Sequence, residues 1–403
     1  MFQTMLTIDL THKRVFLRAD LNVPLKDNHI LQDYRLTSLL PTIDYLQKQG
    51  CKIILGTHLG RPHTPQRTHE DEQHLSTKLL IPWFTNKGYH VDFEHDLQLA
   101  QHKSKQHYSR LLLLENLRFF HGEYAATITF AQLLKPLADI YINDAFGMAH
   151  RADCSVTLLS GEFMPSTRGI GLLMQKEIET LSSIAQSRSP RMIVVIGGCK
   201  IRDKIDMLMQ FLSPSRMPKL HSLIIGGALS LAFLKAQGLP LESAMIDDAA
   251  LATATTLLAQ AQQLNVPINL PMDMIVMQED GSTITKTIHS LSSTDRCIDI
   301  GPATRQTFID HINEAQTIFA NGTMGIYEEE VSAQGTKEIL AAIAHSNAYS
   351  VLGGGDAVAA AHLFDLTNGI DFLSTGGGAT LAFLGSKDPL YELPALAALH
   401  HTE

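Results

Sequence analysis

Short, unbroken apolar runs recur along this chain, and their form restricts its fold more than any other feature. In the first half they stand at 14–18 (RVFLR), 52–55 (KIIL), 89–93 (YHVDF), 110–114 (RLLLL) and 139–142 (DIYI). In the second half they stand at 192–196 (MIVVI), 222–225 (SLII), 267–270 (PINL), 317–320 (TIFA), 349–352 (YSVL) and 371–373 (DFL). An alternating run would mark a strand with one wet face. A continuous β-branched run marks a strand buried on both faces. Helix-like segments lie between most of the runs. Residues 37–49 put Leu39, Leu40, Ile43 and Leu46 on one face before Gly50, and 249–264 and 336–345 read the same way. The expected fold is therefore α/β, with parallel sheets covered by helices, one sheet per half.

Length and charge narrow the reading. At 403 residues the chain suggests about two domains of roughly 200 residues each. The boundary is expected between about 161 and 190, where Pro165, Gly169 and Gly171 precede a helical stretch at 172–184 and a polar Ser-Arg-Ser-Pro. A net charge of -9 gives no bulk attraction for nucleic acid or an anionic membrane, so an anionic substrate needs a local basic cluster. Cys51, Cys154, Cys199 and Cys297 form neither a metal knuckle nor a disulfide framework, and they read as buried free thiols. The histidines of 63–74 and 95–107 are irregularly spaced and read as solvated, on surface loop or exposed helix. With no leader-like start and no apolar stretch of about 18 residues, the expectation is a cytoplasmic protein.

In an open parallel sheet, ligands bind beyond the carboxyl ends of the strands. In the first half those positions are polar and often basic: Asp20, Leu21 and Asn22; His58, Leu59, Gly60 and Arg61; Arg118; and His150 with Arg151. Arg35 precedes a helix. One such arginine would be read as pairing with a neighbouring carboxylate. Four of them beside a histidine read as a rim for carboxylate or phosphate, which guanidinium forks grip with two parallel hydrogen bonds. In the second half the exits are glycines: Gly197-Gly198, Gly226-Gly227, Gly322 and Gly325, Gly353-Gly354-Gly355 before Asp356, and Gly376-Gly377-Gly378. Glycine lets backbone N–H groups approach phosphate; one such pair often just makes a tight turn, but several in one domain are hard to explain as turns alone. Neither a lysine-bearing P-loop nor a dinucleotide fingerprint is present. Lys200 and Lys204, four apart, oppose the dipole at a helix start. They call for an anion, or for pairing with Asp203 or Asp206.

At these residues the sequence resembles the phosphoglycerate kinase family over almost its full length. The matching segments, in order, are RVFLRADLNVPL (14–25), DYR (33–35), HLGRP (58–62), LLENLRF (113–119), INDAFGMAHRA (142–152) and GGCKIRDK (197–204). They continue with IIGGA (224–228), DIGPAT (299–304), NGTMGIYE (321–328), GGGD (353–356) and STGGGA (374–379). The resemblance implies reversible phosphoryl transfer from 1,3-bisphosphoglycerate to ADP, giving 3-phosphoglycerate and ATP with Mg²⁺, in glycolysis. It implies a monomer of two Rossmann-like, three-layer lobes joined by a hinge that closes. A phosphoglycerate lobe would span 1–170, with 385–403 packing back on it, and a nucleotide lobe 171–384. Asp20, Leu21, Asn22, Arg35, His58, Leu59, Gly60, Arg61, Arg118 and Arg151 would hold the phosphoglycerate. Arg35, Lys200 and Gly377 would act on the transferring group. Lys204, Gly226, Gly227, Asn321, Glu328, Gly353, Gly354, Gly355, Asp356 and Ala357 would hold the nucleotide, with Asp356 reaching the metal through it. The departures are Leu21 for phenylalanine, Cys199 and Arg202 in the lysine motif, Ala228 for a third glycine, Thr323 for proline and Ala357 for a hydroxyl residue. Two rivals remain at this stage: a binding protein on the same fold without turnover, and a two-lobed phosphotransferase for another small acid.

Overall fold

The first apolar run becomes β1 (Arg14–Ala19), whose Val15, Phe16 and Leu17 are fully buried. Burying each such side chain contributes about 1.5–3 kcal/mol, which is why the strand sits in the middle of its sheet. This is a computed structural model, and it describes residues 3–62, 68–106, 111–199, 201–215, 220–241 and 246–400. The described chain divides into two compact units. One comprises Met1–Glu179 with Asp388–Glu403, and the other Thr180–Lys387.

In the first unit a small hairpin, β2 (Leu25–Lys26) and β3 (His29–Ile30), follows β1. Then come β4 (Lys52–Gly56), β5 (Val91–Glu94), β6 (Leu111–Leu114), β7 (Ile140–Asp144) and β8 (Arg168–Ile170). The sheet order is β5-β6-β4-β1-β7-β8, and every pairing is parallel. All strand exits therefore share one edge, and the order reverses at β1/β7. The helix predicted at 37–49 runs Tyr34–Lys48, with Leu36, Leu39, Ile43 and Leu46 buried and Leu40 half-buried. Gly50, at φ 72°, lets the chain turn back into β4. Arg18 is fully buried within β1. Its Nε donates to Ser155 Oγ at 2.6 Å, and its guanidinium lies 3.8 Å from the buried Glu123 carboxylate. The C-terminal segment is tied to the same unit: Ala395 N–H donates to Ala149 O, Ser160 Oγ to Ala398 O, and Arg168 to His400 O.

The second unit holds β9 (Met192–Ile196), β10 (Ser222–Ile225), β11 (Ile268–Asn269), β12 (Asp273–Met277), β13 (Thr283–Thr287), β14 (Arg296–Ile300), β15 (Thr317–Asn321), β16 (Tyr349–Gly353) and β17 (Phe372–Leu373). Its parallel sheet has the order β11-β10-β9-β15-β16-β17, the arrangement of a dinucleotide-type doubly wound fold with its reversal at β9/β15. The expectation of one sheet per half needs an addition here. β12, β13 and β14 form a separate antiparallel sheet that the series of apolar runs leaves out: β13 is polar and exposed, but β12 is a largely apolar run that the series passes over. The cysteine reading also needs correction. Cys51 and Cys154 are buried, but Cys199 is exposed and Cys297 only partly covered, because the first sits on a surface loop and the second near the start of β14.

Among the histidines of the two polar segments, His74, His95 and His102 are exposed. His63 and His107 lie outside the described residues.

One buried carboxylate anchors the helix Leu172–Ala185 to the end of β7. Asp144 Oδ1 accepts Met174 N–H at 2.8 Å, Asp144 Oδ2 accepts the Thr42 hydroxyl at 2.6 Å, and Thr42 Oγ1 accepts Leu172 N–H at 3.2 Å. A Cβ at Gly171 would fall 2.2 Å from the carboxyl carbon, so glycine is required for this approach. Burial pushes Asp144 up to about 6 from 3.8. Between those values the folded protein keeps a proton that the unfolded chain has lost, so stability falls as pH rises through the window, by at most about 3 kcal/mol. Asp144→Asn cannot lose that proton. Urea unfolding of the native protein and the variant is expected to show the variant gaining relative stability from pH 4 to 6.5. A pH-independent difference would contradict the assignment.

Candidate functional site

On one side of the reversal point of the first sheet, the exits of the neighbouring strands β1, β4 and β6 are laced together by side chains. Asn22 Oδ1 accepts Gly60 N–H at 2.8 Å, and Leu21 N–H donates to Thr57 Oγ1 at 3.0 Å. Asn116 Nδ2 donates to Leu59 O at 2.7 Å, and Arg118 Nη1 to Gly60 O at 2.9 Å. Gly60, at φ 61°, makes the turn that presents both its N–H and its carbonyl.

The basic residues gather around this frame. Arg35 Nη1 donates to Asn22 O at 2.8 Å and lies 3.4 Å from Asp20. Arg118 and Arg151 share Asp153, at 3.4 and 3.1 Å. The carboxylate-pairing alternative therefore holds in part, yet the anions are outnumbered. His58 shows the balance: it is buried, and burial together with Arg18, Arg118, Arg35 and Arg151 holds its imidazole well below the usual histidine range. Its Nδ1 and the Arg118 Nε are buried and, among the described residues, without a hydrogen-bond partner. Arg61 is exposed, and with Arg118 and Arg151 it acts electrostatically on Tyr124. Such a field stabilises an anion. Asp153, which orients two of the arginines, escaped the sequence reading although it stands two residues after Arg151.

In the second unit the glycines divide into two kinds. Gly197 N–H donates to Asn321 O at 2.8 Å and Gly198 N–H to Thr323 O at 2.7 Å, so these donors are spent on a neighbouring loop. A Cβ at Gly197 would lie 2.2 Å from Thr323 O, one at Gly322 2.4 Å from Gly197 O, and one at Gly226 2.2 Å from Met324 Sδ. Gly227, at φ 64°, is similarly confined between Gly198 and Thr323. These positions are glycine because strand-exit loops touch there, and the first reading of a close approach to phosphate gives way to packing.

The second kind stands at the heads of two helices. Gly354 (φ 94°) and Gly377 (φ 54°) are the N-caps of the helices Gly355–Leu363 and Gly378–Gly385, and neither N-terminus is capped by a side chain. A Cβ at Gly355 would meet nothing within 4 Å. Uncapped helix N-termini with free N–H groups favour anions. Beside them, buried Asn321 keeps an Nδ2 that, among the described residues, has no hydrogen-bond partner, and that atom faces Gly354. Gly353 ends β16, and Ala357 is fully buried in the helix that follows.

Lys204 is buried, and among the described residues no ion pair joins it to Asp203 or Asp206 within 4.0 Å. Burial lowers its ammonium, while Asp203, Cys199 and Asp356 oppose that shift. Asp356 and Glu328, both exposed, act on Tyr327, whose phenol is raised to about 12 chiefly by burial. Tyr327 was not anticipated from the sequence, although it stands inside the NGTMGIYE segment. Lys200 lies outside the described residues, so its relation to Lys204 is not part of this geometry. Among the described residues, no three His, Cys, Asp or Glu side chains form a metal-holding group.

Comparison with known proteins adds independent weight. The family model described as phosphoglycerate kinase matches residues 5–387. A phosphoglycerate kinase of Bdellovibrio bacteriovorus is 37% identical over 402 residues, covering 97% of this chain and 96% of that protein. One of Dictyoglomus turgidum is 38% identical, again covering 97% and 96%. Among solved structures, the phosphoglycerate kinase of Coxiella burnetii superposes with a TM-score of 0.82 at 34% identity, covering 99% of each chain. That of Pyrococcus horikoshii gives 0.83 at 32%, covering 99% of this chain and 98% of the other. No helix of the described residues is long and apolar enough to cross a membrane. With the anion rim of one unit and the uncapped helix ends of the other, these matches establish that the chain belongs to the phosphoglycerate kinase family.

Proposed function

We propose that this kinase, a phosphotransferase with a carboxyl acceptor, catalyses reversible transfer between 1,3-bisphosphoglycerate and ADP in glycolysis, giving 3-phosphoglycerate and ATP. The observation that carries the reading is the ring of Arg35, Arg118 and Arg151 around His58, which stays neutral among them. A site with that field suits a substrate carrying both phosphate and carboxylate. Asp20, Leu21, Asn22, Leu59, Gly60 and Arg61 complete the proposed phosphoglycerate site. Arg118 and Arg151 bind its charge, and Arg35 stabilises charge on the transferring group.

The acceptor is a carboxylate, ionised near neutral pH, so no general base is required. Positioning and charge stabilisation are the expected sources of rate. Lys200 joins Arg35 in this role, and the N–H groups at Gly377 and Gly378 receive the transferring phosphate. Lys204 and the N–H groups at Gly354, Gly355 and Asp356 hold the nucleotide phosphates, with Asn321, Gly353 and Ala357 beside them. Gly226 and Gly227 wall the base, and Glu328 takes the ribose. Mg²⁺ prefers one or two carboxylates plus substrate phosphates, and the single exposed Asp356 at the head of an uncapped helix fits that preference. When bound, the ion neutralises phosphate charge. The reading includes closure of the lobes during turnover, and a cytoplasmic monomer that binds neither nucleic acid nor membrane.

A coupled assay supplying 3-phosphoglycerate, ATP and Mg²⁺ is expected to show acyl phosphate formation. Nucleotide binding without turnover at any Mg²⁺ concentration would instead favour a binding protein. Arg35→Ala is expected to lower kcat by about 10²-fold or more, the scale of a lost transition-state donor. An unchanged kcat would remove Arg35 from its role.

A further inference from the structure

The loop after β15 carries Asn321 and Glu328, and one peptide group within it is held from both sides. The carbonyl of Thr323 accepts Gly198 N–H at 2.7 Å. The N–H of Met324, the other end of that same peptide, donates to Thr336 Oγ1 at 3.0 Å, and Gly325 N–H reaches the same oxygen at 3.2 Å. A peptide is planar, so its carbonyl and N–H cannot be aimed independently. Holding the N–H fixes where the carbonyl points, and the carbonyl fixes Gly198, which leads directly into Cys199, Lys200 and Lys204.

The anchor is itself rigid. Thr336 is buried, in the first turn of the helix Gln334–His345. Beneath it Asp299, at the end of β14, is buried and accepts Gly335 N–H at 2.6 Å and Ile300 N–H at 2.8 Å. Its Oδ1 would lie 2.2 Å from a Cβ at Gly335 and 2.5 Å from one at Gly325, so the helix start and the loop close on one carboxylate. The loop is also tied by Ile326 N–H to Ile298 O at 3.2 Å and by Ser332 Oγ to Ile326 O at 2.8 Å. In this chain position 323 is threonine, so no proline ring locks its φ, and the restraint on the Thr323–Met324 peptide comes from these hydrogen bonds.

We propose that Thr336, next in the chain to the Gly335 that Asp299 holds, is a positioning residue for the nucleotide site: its hydroxyl sets the Thr323–Met324 peptide plane and thereby registers Gly198 against the loop of Asn321 and Glu328. The proposal rests on the nucleotide reading given above. Its ligand is a nucleoside diphosphate with its magnesium ion.

Thr336→Val keeps the shape and removes the acceptor, leaving two loop N–H groups without it. Thr336→Ser keeps the acceptor. Isothermal titration with MgADP, and separately with 3-phosphoglycerate, reads the effect on the full chain. Thr336→Val is expected to weaken MgADP about tenfold, as fits the loss of a buried hydrogen-bond acceptor. Thr336→Ser is expected to stay within about twofold of native, and 3-phosphoglycerate affinity to be unchanged in both. Native-like MgADP affinity in Thr336→Val, equal weakening of both ligands, or a serine variant no better than valine would overturn the proposal. A native protein that binds no MgADP would overturn the nucleotide reading itself, and the proposal with it.

Discussion

A strand in a parallel sheet leaves from the same edge as its neighbours, and here that geometric rule governs everything downstream. Twelve strands obey it in two sheets. Each sheet reverses its order once, at β1/β7 and at β9/β15, and the chain that leaves those strands spreads to either side of a crevice. Asp20 and Asp144 follow from the first reversal, Gly197 and Asn321 from the second. Sequence-distant residues become neighbours there without long loops.

The two crevices solve opposite problems by different means. The first concentrates positive charge and must stop it from flying apart. It does so with a few well-held carboxylates: Asp20 facing Arg35, Asp153 between Arg118 and Arg151, and Glu123 facing Arg18 in the interior. Removing one partner of such a buried pair is costly, because the other charge is left desolvated. The second crevice carries little fixed charge among its described residues. It presents backbone N–H groups at two helix ends and loops packed so tightly that side chains are excluded.

Much of this was legible in the residues. Buried strands announce themselves by unbroken apolar runs, and β9 and β10 appear at their predicted bounds. The strand-exit arginines could be named because parallel topology fixes where exits lie. Other features had no local signature. β13 reads Thr-Ile-Thr-Lys-Thr, β-branched but polar, and its exposure removes the apolar run that marks the strands of the two parallel sheets. Whether a glycine N–H faces a ligand or a neighbouring carbonyl depends on a partner more than a hundred residues away, as Gly198 and Thr323 show. The anchoring roles of Asp144, Asp299 and Thr336 were equally silent, since a buried capping acceptor looks like any polar residue until the helix it holds is known.

The attachment of the C-terminal segment bears on how the molecule is made. Ala149 and Ser160 are paired with Ala395 and Ala398, and the whole second unit is synthesised in between. At about 5–20 residues per second, the first unit emerges on the order of ten seconds or more before its own last segment exists. During that interval the carbonyl of Ala149, two residues before Arg151, lacks its final partner. Vectorial synthesis therefore lets the second unit finish from contiguous chain, while the first is sealed only once the segment after Lys387 has been made.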